Sequence, residues 1–224
     1  MIPPHANGDF VAAMEATLDL YCQPYDPLRP VVCIDEQPRQ LTKEVRVPIP
    51  AGRGRPARVD YEYTRNGTAN IFMAVEPLRG IRHTQVTASR DRQAFAHFVA
   101  AVVARYPHAK VIRLVLDNLN THSLGSLYET FPPEEARRLA ERIEIHYTPK
   151  HGSWLNMAEI ELSALTRQCL DRRIGEHDEL AREVAAWELA RNRAEVAIDW
   201  PFTTADARIR LKRLYPVISP VAAH

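Results

Sequence analysis

In "DFVAAMEATLDLYCQPYDP" the apolar residues Phe10, Val11, Met14, Leu18 and Tyr21 recur at helical spacing. A helix is therefore expected there, with Asp9 at its N-cap and Pro24 and Pro27 ending it. "RPVVCIDE" is a short β-branched run, expected to be a buried strand ending near Asp35. Residues 37–58 carry Pro38, Pro48, Pro50, Gly52, Gly54 and Pro56 and read mostly as a loop. "VDYEYTRNGTANIFMAVEP" reads as a hairpin, with Asn66-Gly67 supplying the positive φ angles of its turn, and "IRHTQVTAS" as the third strand.

Beyond these, "SRDRQAFAHFVAAVVARYP" is amphipathic with a helical period and stops at Pro107. "KVIRLVLDN" is an apolar strand ending at Asp117, and "RIEIHYT" is the fifth strand. Two short helices are expected between 123 and 141, the second opening at Pro132-Pro133. Further helices are expected at about 153–170 and 178–195, with a short basic one in the tail. An antiparallel meander followed by two helix-crossed strands gives a mixed α/β sheet of five strands.

The chain has 224 residues, one large domain or one domain with a small appendage. Nearly half are hydrophobic, enough for a sizeable core, and the formal net charge is only +1. A nucleic-acid partner must therefore be argued from local clusters. The three cysteines, Cys22, Cys33 and Cys169, form no CxxC pair and suggest neither zinc nor disulfides. No leader pattern and no membrane-length apolar run is visible, so a soluble cytoplasmic protein is expected.

Asp35 follows "VVCI" and Asp117 follows "IRLVL", each the first acid after an apolar strand. Ligand sites in open α/β sheets form outside the carboxyl ends of strands, and strands lying side by side would bring these acids together. Carboxylates a few ångströms apart need protons or a cation, and oxygen donors favour Mg²⁺ or Mn²⁺. On spacing alone, each acid equally well caps a turn. Asn118, Asn120 and His122 beside Asp117 can orient ligands or water, or simply form Asx turns. His146 and His151 match no helical zinc spacing, and Ser153 stands in no nucleophile elbow.

"VVCIDE", "LVLDNLNTH" and "HYTPKHGSWLNMAEIELSAL" together resemble the three catalytic motifs of DDE transposases of bacterial insertion sequences in the mariner superfamily (insertion-sequence family number 630). The resemblance extends over about residues 9–216. It implies a ribonuclease H-like fold with acids on the first strand, just after the fourth, and on a helix after the fifth. Asp35, Asp117 and Glu159 match those acids as catalytic residues and metal ligands for two Mg²⁺ or Mn²⁺ ions, with Asn118, His122 and Asn156 beside them. Met157 stands where the family usually has proline, and the Asp117–Glu159 interval is somewhat long, an excess that the Pro-rich segment 131–137 can absorb.

Glu161 competes with Glu159 for the third role. Leu155, Ala158, Leu162 and Leu165 form a core stripe, and the two acids fall on its opposite edges, so geometry permits either. Pairing with Asn156 on the same side favours Glu159 modestly, and the motif decides for it.

The implied activity is metal-dependent cleavage at element ends and transfer of the 3′ ends to target DNA. The implied partners are double-stranded DNA and a second copy of the chain, in a bacterial cytoplasm at the nucleoid. Residues 39–67 hold seven basic residues against three acids, an excess of four, and Arg53, Arg55 and Arg58 are the expected phosphate contacts. Lys150, Arg210 and Lys212 extend the expected DNA-binding set. The division expected is a linker helix over 1–28, the catalytic domain over 29–200 and a basic tail over 201–224. The family's helix-turn-helix region has no counterpart in this sequence, which is expected to be a catalytic fragment, one product of a split reading frame or a degraded copy. A nuclease without strand transfer and a non-catalytic DNA-binding descendant are the alternatives.

Overall fold

The structure, a computed structural model, describes residues 5, 7–47, 49–56, 58 and 60–217. Helix α1 (Gly8–Tyr21) buries Phe10, Met14 and Leu18, as its spacing predicts, and Leu20 besides, while Val11 and Tyr21 are half-buried. Its cap is Asn7 rather than Asp9: the Asn7 side chain accepts from the Phe10 amide at 3.1 Å. Asp9 lies in the first turn, where a negative charge suits the helix dipole.

Five strands form one sheet in the order β3–β2–β1–β4–β5: β1 (Val31–Glu44), β2 (Tyr63–Glu76), β3 (Ile81–Thr87), β4 (Ile112–Leu116) and β5 (Ile143–Tyr147). β2 is antiparallel to both β1 and β3, whereas β4 is parallel to β1 and to β5. This is the expected mixed sheet with an antiparallel first half. All of β4 is buried because helices cover both its faces.

Two local expectations fail in the antiparallel half. β1 does not stop near Asp35 but runs to Glu44, paired with β2 from Cys33 onward except at Leu41. Its polar residues are accommodated because they reach side-chain and backbone partners: Gln37 donates to Thr166, and the Arg39 guanidinium to the carbonyls of Leu170 and Arg172. Asn66-Gly67 is a bulge rather than a hairpin turn. The register shifts between Gln40 and Thr42, two β2 residues face Leu41, and Gly67 takes a φ of 88°. The true β2–β3 turn lies ten residues on and ends at Gly80, whose φ is 64°.

α2 (Arg92–Ala104), α3 (Gly125–Tyr128) and α4 (Pro133–Glu141) cover one face of the sheet, over Val32, Ile34, Phe72, Leu114 and Leu116. α5 (Met157–Gln168) and α6 (His177–Arg193) cover the other, over Cys33, Ile71, Met73, Val75 and Val115. α7 (Thr204–Arg210) is the short basic helix expected in the tail, and it folds back onto α1 around Leu155 and Leu214. Residues 1–4 and 6 of the expected linker and 218–224 of the expected tail lie outside the described residues.

β3 is an edge strand, and α6 closes it. The Asn192 side chain exchanges hydrogen bonds with the backbone N–H and C=O of Arg82 at 2.7 and 2.9 Å. Glu188 accepts from the Thr84 amide at 2.6 Å. Among the described residues no helix is long and apolar enough to cross a membrane.

Candidate active site

The parallel ladder between β1 and β4 pairs Val32 with Leu114 and Cys33 with Val115. Extended two residues, past the end of β4 at Leu116, the same register would bring Asp35 level with Asp117. Alternation along each strand also puts both acids on one face. Cys33 and Val115, two residues before them, pack in the cluster beneath α5 and α6.

α5 delivers Glu159 to the same face. The single helix expected over 153–170 is broken. A 3₁₀ turn spans Ser153–Leu155, Asn156 is extended (φ −80°, ψ 109°), and α5 begins at Met157. Asn156 is wholly buried and makes two contacts that explain the break. Its side-chain oxygen caps the Ala158 amide at 3.1 Å, and its Nδ2 donates to the Ile34 carbonyl at 2.8 Å. The residue before Asp35 is thus tied directly to the start of the helix that carries Glu159 in its first turn.

The charges report the same convergence. Burial raises the pKa of Asp35, and the negative charges of Asp117, Glu36 and Glu159 add to the rise; a hydrogen bond from the Glu36 amide opposes it, leaving a pKa of about 7. Among the described residues no three acid, cysteine or histidine side chains stand close enough to cage an ion as they are. Asp117 is turned toward His122, whose Nδ1 lies 2.5 Å from its Oδ1. The donor set is nonetheless all oxygen and mutually repulsive, which fits a hard divalent cation such as Mg²⁺ or Mn²⁺.

His122 is 1% exposed and its ring stacks on Phe95 at 4.6 Å. Burial opposes its charge, but Asp117 and Glu36 outweigh that and carry its pKa up to about 9. Glu36 draws no attention in the sequence although it adjoins Asp35. The alternation rule is the available signal: consecutive acids on a strand serve opposite faces. Asn118 is exposed and lines a cleft of roughly 350 Å³ with Lys150, Tyr147 and the first turns of α1.

Glu161 has a different environment from Glu159. It is 1% exposed, accepts from Arg82 Nε of β3 at 2.9 Å, and takes two bonds from Arg191 of α6 at 2.9 and 3.0 Å. Burial works against its ionisation, and the two arginines hold its pKa below the usual range all the same. Its carboxylate is fully engaged in joining three elements.

The basic positions divide similarly. Arg39 is spent on backbone carbonyls, Lys43 pairs with Glu176, and Arg46 lies 3.4 Å from Asp60. Arg53, Arg55 and Arg58 are exposed on a small hairpin closed by bridges between Ile49 and Arg58 and between Gly52 and Arg55. Pro48 of this segment lies outside the described residues, as do positions 57 and 59. Arg210 and Lys212 are exposed on and just after α7, whereas Arg208 is held by both oxygens of Glu15 at 2.9 Å.

The strand order and its flanking helices define a ribonuclease H-like domain with acids gathered at one end of the central strands. The sequence model of the DDE superfamily endonucleases matches residues 30–181, a span that includes Asp35, Asp117 and Glu159, and the chain belongs to that family. Its fold is similar to that of the Mos1 mariner paired end complex with Mn, at 14% identity and TM-score 0.56, covering 88% of this chain and 61% of that one. The Mos1 strand transfer complex is matched at 12% identity and TM-score 0.56, with 88% and 61% covered. The Mos1 paired end complex with Mg is matched at 14% identity and TM-score 0.56, with 97% and 66% covered. The chain thus spans about three fifths of the length of the first two. No curated relative matches in sequence.

Two outcomes follow from the charges. Glu161→Gln leaves two guanidiniums short of their carboxylate and is expected to cost about 3–5 kcal/mol, whereas Glu159→Gln should change stability by less than about 1 kcal/mol. Thermal melts of both variants check this. Asp35 gives a pH signature in chelator. With a folded pKa of about 7, above the usual carboxylate range, the native state holds a proton that the unfolded chain has already released. The Asp35 contribution to stability therefore falls as pH rises from about 4 to 7 and is flat above. Urea denaturation should show Asp35→Asn gaining on the wild type across that window, and a constant gap would contradict it.

Proposed function

We propose that this chain is the catalytic domain of a DNA transposase in the mariner superfamily, of the bacterial insertion-sequence branch numbered 630. In this reading it cleaves double-stranded DNA at element ends and joins the 3′ ends to target DNA. Asp35, Asp117 and Glu159 are its catalytic acids and hold two Mg²⁺ or Mn²⁺ ions. The observation that carries the reading is the parallel β1–β4 ladder, which ends two residues short of Asp35 and Asp117, with Asn156 binding the Glu159 helix to the Ile34 carbonyl. The Mos1 paired end complexes with Mn and with Mg support the choice of ion. Bound ions of this kind activate the attacking water or 3′-hydroxyl and stabilise the leaving oxygen.

The chain's own residues position and charge the reactants. Asn156 fixes the approach of α5 to β1, and His122 orients one oxygen of Asp117, leaving the other for a ligand role. Lys150 and Asn118 line a cleft beside Asp117, where a phosphate backbone can enter. The exposed arginines of the 49–58 hairpin, with Arg210 and Lys212, extend that contact. Two copies hold two ends in the working complex, at the nucleoid of a bacterial cell.

The direct test is strand transfer from a labelled duplex with a free 3′ end into plasmid DNA. Activity is expected in Mg²⁺ or Mn²⁺ and absent in chelator. Asp35→Asn, Asp117→Asn and Glu159→Gln should each lower it by on the order of 10³-fold, the several kcal/mol of charge stabilisation that metals supply. Glu161→Gln, assayed below its melting temperature, should stay active. Cutting without joining would reduce the chain to a nuclease, and binding without either would leave only a DNA-binding role.

A second outcome concerns the hairpin. Replacing Arg53, Arg55 and Arg58 with Ala should weaken binding to all duplex sequences alike. It should also flatten the dependence of log K on log salt by about 0.9 for each phosphate no longer neutralised. An unchanged slope would remove the hairpin from the DNA-binding surface.

A further inference from the structure

Glu36 has no part in the reaction just described. Alternation along β1 turns it to the opposite face from Asp35, beneath α2. There its side chain is 3% exposed. Arg90 approaches Oε1 only to 3.9 Å, and Oε2 has no hydrogen-bond partner. A buried carboxylate left so poorly served costs free energy, so its presence calls for a function.

What Oε2 does meet is His122 Nε2, at 3.0 Å, in a contact too oblique for an aligned hydrogen bond. Both atoms are buried and neither has another complement. The other ring nitrogen is the one on Asp117 Oδ1. The backbone of His122 is fixed on both sides: its amide donates to the Leu119 carbonyl at 3.0 Å, and its carbonyl accepts from the Tyr147 hydroxyl at 2.7 Å. Phe95 lies against the ring face. With the main chain and one face held, the remaining freedom of the ring is rotation in its own slot, and the Glu36 carboxylate opposes that rotation.

We infer that Glu36 is a positioning residue for Asp117, acting through His122: the carboxylate at Nε2 sets the ring so that Nδ1 fixes one oxygen of Asp117 and leaves the other aimed at a metal ion. The inference rests on the reading of Asp117 as a metal ligand. Carboxylates behind a histidine commonly act this way on metal sites, and their loss costs about 10–100-fold in affinity. Here the relay ends on a carboxylate ligand instead of ending on the histidine.

The test is Mn²⁺ binding to the full chain, followed by electron paramagnetic resonance, with melting curves on the same samples. Glu36→Met keeps the volume but leaves the buried His122 ring only the Asp117 carboxylate, so it should fold with a lowered melting temperature. It is expected to bind Mn²⁺ roughly 10–100-fold more weakly. Glu36→Gln, which keeps an acceptor for the ring, should recover part of that loss. Because Glu36 works through the ring, Glu36→Met combined with His122→Gln should bind no more weakly than His122→Gln alone. Wild-type affinity in Glu36→Met would overturn the proposal, as would losses that multiply in the double variant, which would make Glu36 a ligand in its own right. A wild-type chain that binds no Mn²⁺ would overturn the reading of Asp117 itself, and this inference with it.

Discussion

One shared carboxylate fixes the helix on which the acidic site depends. Glu161 is buried between guanidiniums from β3 and α6; it and Arg82 are enclosed, and Arg191 is largely covered. An isolated charge of either sign would be very costly there, so the groups are stable only together. The grouping draws the third strand, the fifth helix and the sixth helix into one rigid unit. Two residues earlier on the same helix, Glu159 is carried to the end of the sheet. Asn156 performs the matching task at the helix start, since its amide is bonded to β1 itself. The placement of Glu159 relative to Asp35 is thus set by one ionic and one neutral contact, neither of which lies at the acids.

The acid end of the sheet shows the opposite economy. Asp35, Glu36, Asp117 and Glu159 crowd one region, and the cation embedded among them is a single histidine. Burial, with repulsion from the neighbouring acids added, raises the pKa of Asp35, while Asp117 and Glu36 raise that of His122 against its burial. Folding tolerates this because the hydrophobic strands on either side are buried on both faces and hold the backbone in register whatever the side chains prefer.

Much of this is legible in the sequence. Asp117 stands out because its apolar strand ends there, and Asp35 because the apolar run of β1 gives way to a polar one, although the strand itself continues. The helical stripe of Leu155, Ala158, Leu162 and Leu165 is buried as its period requires. The roles of Glu159 and Glu161 are not separable by period, because the helix puts them on opposite rims of that stripe and only the tertiary partners differ. Those partners, Arg82 and Arg191, lie 79 and 30 residues away and carry no local signal. Asn66-Gly67 misleads for a related reason. The pair does supply a positive φ, but a long partner strand on β1 makes a bulge more favourable than a turn. The extent of β1 is hidden because its outer half is polar and finds its bonds in loops distant in sequence.

The closure of β3 has a consequence for how copies of this chain can meet. A free strand edge is a template on which another strand can be laid, and it invites uncontrolled stacking. Here side chains of α6 imitate the missing neighbour: Asn192 answers both backbone groups of Arg82 as a paired strand would, and Glu188 takes the Thr84 amide. At Arg82 and Thr84 the sheet therefore cannot be extended without first displacing α6. A newly made chain gains protection from sticking to its siblings as soon as α6 docks, so the docking of one helix is also a safeguard against aggregation.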